Sequence, residues 1–250
     1  MSDLLIQFIL GIEANLIRDM VIIAPCWLPE TVGITEAKKI GNNSCQIWDC
    51  IMCNKKFTYI VTGVGAAICM DVVLALKDTA CKKILFIGSA GALRNEINIG
   101  DFIVPNGVVS AEGASRYIGN DLSKDVFGKC FYTTNELQHR LFICLKKQLE
   151  GLELNVFEGI GISVESILLQ YDHIDELLNM KCDFVDMESS AFGAACNSIN
   201  IMCAVVFCIS DNVMQNAPLY KVSPSTINYR KEARKKIMPF VFEEFLDGNE

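Results

Sequence analysis

The chain has 250 residues, 51% of them hydrophobic and 21% charged, which excludes an intrinsically disordered protein. A chain this long buries roughly 70–75% of the surface its unfolded form exposes, so a core needs no disulfide or metal staple. Asp and Glu number 30 against 22 Lys and Arg, a formal charge of −8. With no basic run, neither nucleic acid nor an anionic membrane is an expected partner.

In chain order, Met1 to Leu10 is apolar but carries Asp3, with no basic segment and no small-residue cleavage site. No signal peptide is expected there, and the expected location is cytoplasmic. Leu4 to Ile12 reads as either interface or core. Asp19 to Pro25 reads as a short buried strand ended by proline. Ser44 to Asn54 and Phe57 to Thr62 read as a hairpin turning at Asn54-Lys55-Lys56. Gly63-Val-Gly65 opens a helix, Ala66 to Lys77. A strand, Lys83 to Gly88, runs into the glycine turn Gly88-Ser-Ala-Gly91, and Asp101 to Pro105 is another short strand. Asn135 to Leu149 repeats Leu137, Leu141, Leu145 and Leu149 at helical spacing and closes on Gly151. Phe157 to Ser163 is strand-like, Ile174 to Met180 a short helix, and Phe184 to Asp186 a strand entering a helix from Glu188 to Asn197. Ile201 to Ile209 is the longest apolar run, too short to cross a bilayer and the right length for a buried strand. Ile227 to Leu246 is an amphipathic helix.

The 12 cysteines fall in predicted strands and helices as often as in loops. Cys50 and Cys53 form one C-x-x-C with Cys45 upstream, but no second pair follows to complete a zinc site. The pair lies in a predicted hairpin rather than at the helix N-terminus a redox motif needs. Reduced core thiols and no metal are the expectation.

Short apolar strands alternating with helices predict an α/β fold: one domain over 1–250, its mostly parallel sheet covered on both faces. Ligands then bind beyond the carboxyl ends of the strands, which singles out three constellations. Gly88-Ser-Ala-Gly-Ala-Leu93 lets backbone pass close to a ligand, or is a tight packing turn. In Val185-Asp-Met-Glu188-Ser, Glu188 offers two acceptor oxygens to a vicinal diol, or complements the dipole of the helix it precedes. In Ile209-Ser-Asp211-Asn, an Asp at the mouth of a buried strand has its pKa raised by burial and can deliver a proton, or it caps the next segment.

Together with Gly100-Asp-Phe-Ile-Val-Pro105 and Glu112-Gly-Ala-Ser-Arg-Tyr117, these motifs resemble, in order, the nucleoside phosphorylase and nucleosidase family. The family includes purine nucleoside and uridine phosphorylases and methylthioadenosine/S-adenosylhomocysteine nucleosidases. The resemblance implies a mixed central sheet flanked by helices and an enzyme cleaving the N-glycosidic bond of a purine-type nucleoside in nucleoside salvage. It implies that Asp211 donates a proton or hydrogen bond to purine N7, that Glu188 holds the ribose hydroxyls, and that Met187 packs beneath the sugar. Ser89 and Gly63, beside Gly88, line the nucleophile or ribose pocket. No metal or organic cofactor is implied, while inorganic phosphate stays open as a co-substrate. Homo-oligomers (dimer, trimer or hexamer) are implied as well.

The chain departs from the family pattern in the acceptor and base sites. Phosphorylases carry Gly-Asp-Pro-x-Arg after the first strand, where this sequence has Ala24-Pro-Cys-Trp-Leu-Pro-Glu30. A second phosphate-binding Arg two residues before the glycine turn is here Phe86. Both guanidinium clamps are missing, as in the nucleosidases, which instead use an N-terminal acid to position water. Glu13 and Glu30 are the two candidates. Arg116 is either a replacement cation or a surface arginine. The base segment Ser163-Val-Glu-Ser-Ile167 keeps an acid, Glu165, and puts Ile167 in place of a stacking aromatic; Phe157 and Phe207 either stack on the base or pack in the core. His139 and His173 lie in polar helical contexts and are not read as catalytic. Whether phosphate or water is the acceptor stays open, as does a nucleoside-binding or storage protein of the same fold that has lost efficient chemistry.

Overall fold

The structure, a computed structural model, describes residues 3–119 and 121–247; Met1 and Ser2 of the apolar N-terminal stretch, Asn120, and the last three positions of the expected 1–250 domain lie outside the described residues. Helix α1 (Asp3–Leu10) turns Ile6 and Leu10 into the core and leaves Leu4 and Phe8 exposed. Strand β1 (Met20–Ala24) follows, then β2 (Glu36–Asn42), β3 (Gln46–Met52), β4 (Lys55–Val61) and helix α2 (Ala66–Ala75). Next come β5 (Lys83–Ala92), β6 (Phe102–Ala111), β7 (Cys130–Tyr132), α3 (Asn135–Gln148), β8 (Val156–Val164) and α4 (Ile174–Asn179). The chain ends with β9 (Phe184–Asp186), α5 (Ser189–Ile199), β10 (Met202–Asn212) and α6 (Pro224–Asp247).

The strands form one ten-stranded sheet in the order β10-β6-β8-β9-β5-β1-β4-β3-β2, with β7 paired to β6. Because β10 also pairs with β5, the strands β5, β10, β6, β8 and β9 close a ring, and β1, β4, β3 and β2 extend outward from β5. The sheet is mixed rather than mostly parallel. Pairs β1–β4, β1–β5, β5–β10, β6–β8 and β8–β9 are parallel, while β2–β3, β3–β4, β5–β9, β6–β10 and β6–β7 are antiparallel.

Period-two alternation divides the core into two halves. Val21 and Ile23 of β1, with Val205 and Phe207 of β10, pack on the side of α2 and α5. Ile22, Ala24, Val206 and Cys208 pack on the other side, against Leu137, Leu141 and Leu145 of α3 and Val241, Phe242 and Phe245 of α6. Among the described residues, no helix is long and apolar enough to cross a membrane.

Three elements differ from the sequence expectation for physical reasons. The hairpin of β3 and β4 turns at Cys53 and Asn54, both left-handed (φ 50° and 61°), which suits a two-residue loop, so Lys55 and Lys56 belong to β4. Strand β5 does not stop at Gly88. It runs on through Ala92 because β10 pairs along its whole length and β9 pairs with Gly91 and Ala92. The supposed glycine turn is therefore strand. Likewise β6 continues past Pro105, where the register with β8 shifts and absorbs the missing N–H.

Phe242 is fully buried between α6 and the sheet. Phe242→Ala is expected to cost about 3–5 kcal/mol, read as a lower urea midpoint at unchanged slope.

Candidate active site

A cavity of about 240 Å³ opens where the carboxyl ends of four strands meet. Its walls come from Pro25 and Cys26 after β1, Ser89 and Gly91 near the end of β5, Asp186, Met187 and Glu188 after β9, and Ser210 and Asp211 of β10. Ile167, Gln170, Leu219 and Arg230 complete it. A larger hollow of about 500 Å³ lies at the opposite ends of β1, β5 and β10, lined by Asp19, Lys83 and Met202 among others. The smaller cavity is the candidate, because it is where crossing strands of an α/β sheet bind ligands and where the perturbed carboxyls gather.

Helix α5 begins with an exchange of roles between two acids. Asp186 Oδ2 accepts the N–H of Glu188 (3.0 Å) and of Ser189 (2.7 Å), and Asp186 Oδ1 accepts the Ser163 hydroxyl (2.5 Å). Asp186, not Glu188, thus satisfies the open N–H groups of the helix. Glu188 is left facing the cavity, its Oε1 accepting the Gly65 N–H at 2.6 Å. Gly65 sits at φ 128°, a conformation suited to glycine that turns its N–H toward Glu188. Behind the helix start, Glu112 acts as a strut: its carboxylate accepts the hydroxyls of Ser110 (2.9 Å), Ser190 (2.9 Å) and Ser115.

Burial raises the Glu188 pKa to about 8, the Asp186 charge adds to the rise, and the N–H groups of Gly65 and Met187 oppose it. Burial also raises Asp186, against the pull of the Ser163 hydroxyl and the two N–H groups. Asp186, which accepts three hydrogen bonds, holds the negative charge of the pair, and Glu188 holds the proton.

Asp211 owes its place to a bulge. The β5–β10 register pairs Ile209 with Ala90 and then Asp211 with Gly91, so Ser210 is the extra residue. A Cβ at Gly91 would stand 3.1 Å from Asp211 Oδ2, and glycine leaves the room the carboxyl occupies. Burial raises the Asp211 pKa, with the Ser210 hydroxyl and the Arg230 charge opposing. The Ser210 hydroxyl lies 3.1 Å from the Ala90 carbonyl and 2.6 Å from Asp211 Oδ1. The shorter of the two contacts, Ser210 donating to Asp211 Oδ1, holds the carboxyl in place.

The cavity brings together Asp211, Glu188, Met187, Ser89 and Ile167. The other sequence candidates lie elsewhere. Gly88 is a core position whose missing side chain makes room for the Phe207 ring. Gly63 follows β4 with open space on its Cβ side, while its neighbour Val64 reaches the cavity. Arg116 is exposed and paired with Asp125 at 3.3 Å, so it supplies no cation. Glu165 turns away to accept the Gly113 N–H at 2.8 Å. Glu13 and Glu30 are both exposed and outside the cavity walls. Phe207 packs between Phe86 and Phe184, and Phe157 packs against the same core. His139 and His173 are exposed, and His173 Nδ1 contacts Glu176. Among the described residues, no group of three or more His, Cys, Asp or Glu has metal-binding geometry. Sequence reasoning missed Gln170 and Arg230. Arg230 carried one signal, its placement one helical turn from Arg234, where like charges repel.

Residues 41–236 match the phosphorylase superfamily. The chain belongs to that superfamily. A curated relative, the 5′-methylthioadenosine/S-adenosylhomocysteine nucleosidase of Glaesserella parasuis, is 24% identical over 184 residues, 71% of this chain and 77% of the relative. A uridine phosphorylase from Vibrio fischeri superposes with a TM-score of 0.72 at 20% identity, over 94% of this chain and 92% of that one. The 5′-methylthioadenosine/S-adenosylhomocysteine nucleosidase of Neisseria meningitidis gives 0.69 at 12% identity, over 91% and 98%. This phosphorylase-superfamily member is an enzyme of N-glycosidic bond cleavage in nucleosides, a reaction that needs no resident cofactor.

The raised pKa of Glu188 has a stability consequence. Its proton affinity rises on folding from the ordinary 4.5 to about 8, so the fold loses stability as pH climbs through that window. Glu188→Gln removes the loss. At pH 8 the variant should melt above the parent, by roughly 2–4 °C for each kcal/mol relieved, and the gap should close as pH falls toward about 4.5. A variant melting lower at pH 8 would mean that Glu188 is ionised and well paired.

Proposed function

We propose that the enzyme hydrolyses the N-glycosidic bond of a purine-type nucleoside held in this cavity. The observation that carries the reading is the meeting of Glu188 and Asp211 on one cavity, at the ends of strands on either side of β5. As the bond breaks, positive charge builds on the ribose and negative charge on the base. The single negative charge of the Asp186–Glu188 pair lies on the ribose side, with Glu188 bonding the hydroxyls and Met187 beneath the ring. Asp211, whose pKa burial raises, delivers a proton or hydrogen bond to the leaving base. Ser89 lines the acceptor side. Water is the acceptor, because the loop after β1 carries no arginine and Phe86 is a core side chain.

The finer assignments belong to the same proposal. They are a single domain over the whole chain, a cytoplasmic enzyme of purine salvage, and a homo-oligomer. Exposed Phe127 and Leu169 share a hollow with Ala111 and Met180 beside Ile167, an apolar face suited to a second copy of the chain. A second reading, a nucleoside-binding protein with little turnover, is favoured by one observation: neither Glu13 nor Glu30 reaches the cavity to activate water.

Incubation with inosine, adenosine, methylthioadenosine and uridine, with and without phosphate, separates these readings. The expected products are free purine base and ribose, with no ribose 1-phosphate. Binding without product would favour the second reading. Asp211→Asn should lower kcat by roughly 10²–10⁴-fold while nucleoside binding survives; equal turnover would remove Asp211 from the reaction.

A further inference from the structure

Helix α6 places two arginines one turn apart against the loop that follows β1. Arg234 is 6% exposed; its guanidinium lies 4.3 Å from the Trp27 ring centroid and its Nε donates to the Thr31 carbonyl at 3.3 Å. Arg230 lines the cavity beside Cys26, and its buried Nε has no hydrogen-bond partner. Among the described residues neither arginine forms an ion pair.

This arrangement is costly as it stands. Two like charges a helical turn apart repel, and burial adds a desolvation cost to each. Both effects push the Arg234 pKa down, and no carboxylate is among the groups that offset them. Asp211 lines the same cavity and its charge couples to that of Arg230, but no salt bridge joins them and the Ser210 hydroxyl donates to Asp211 Oδ1. Asp186 and Glu188 line the same cavity and share a single charge, which the N–H groups of α5 already hold. Cys26, the remaining titratable wall, stays a thiol because burial raises its pKa. Among the described residues Arg230 therefore faces the cavity with no salt-bridge partner and an unsatisfied Nε, in a chain whose overall charge is −8.

We propose that Arg230, backed by Arg234, forms a binding site for an oxyanion (carboxylate or phosphate) on the Cys26 side of the cavity. A guanidinium with free N–H groups in a partly desolvated wall suits such a group. The oxyanion belongs to the substrate, as an acidic substituent of the nucleoside. This inference rests on the cavity being the nucleoside site, but its test does not need turnover.

Trp27 reports on the site, since it stacks on Arg234. In a Trp48→Phe background, inorganic phosphate should give a saturable change in Trp27 fluorescence, with a Kd of about 1 mM or tighter. Arg230→Gln should weaken it about tenfold or more, and Arg230→Lys should keep most of it. No saturable response in the parent, or equal affinity in Arg230→Gln, overturns the site. Cleavage of a neutral nucleoside then identifies the source of the anion. Phosphate that competes with the nucleoside without being consumed supports a substrate-borne anion, as does a higher kcat/KM for adenosine 5′-carboxylate than for adenosine, lost in Arg230→Gln. Phosphate consumed to give ribose 1-phosphate keeps the anion site and overturns both the substrate-borne assignment and the water-acceptor reading. Phosphate that binds Trp27's neighbours yet neither competes nor is consumed overturns the placement of the site in the cavity.

Discussion

The geometry of the site depends on one division of labour, in which Asp186 takes the N–H groups of Glu188 and Ser189. A helix that starts inside a protein leaves donors open, and the nearest acid is normally drawn to them. Had Glu188 been that acid, its carboxyl would have folded back over α5. Instead Asp186, fixed from the other side by Ser163, fills the role and releases Glu188 into the cavity. Ser190 and Glu112 tie the same helix start to the end of β6. The motif around Glu112 thus contributes stiffness behind the site rather than a group within it.

Asp211 depends on a different device with the same outcome. One surplus residue in β10 turns its carboxyl toward the space left by Gly91, within reach of Ser210. In both cases backbone irregularity holds a desolvated carboxyl where ordinary pairing would not. Poorly solvated acids are a burden on the fold, and the long apolar strands β5 and β10, buried along nearly their whole length, carry it.

Much of this was legible in the sequence. Helix α3 declared itself by leucines at four-residue spacing and β10 by its unbroken apolar run, and the acids just past β9 and within the end of β10 followed from where such sheets bind ligands. The failures have particular causes. Strand β2 is almost entirely exposed and charged, with no alternation to read. The glycines of β5 looked like a turn because their reason is tertiary: they admit Phe207 and Asp211. Arg116 and Glu165 sit in motifs that resemble the family's, yet a local partner claims each, Asp125 for one and the Gly113 N–H for the other. Arg230 joins the cavity from a helix that reads as an ordinary basic surface, and only the return of α6 over the loop after β1 reveals it.

Ring closure also decides how the sheet meets the outside. Where β10 clasps β5, the backbone ladder has no loose selvage on that flank. At the far flank, β2 presents Glu36, Lys38 and Lys39 along its rim. Charges set along a rim deter another chain from stitching itself on strand by strand. Hydrogen-bonded extension of the sheet into fibrils is thus closed off by topology where β10 meets β5 and deterred by charge along β2.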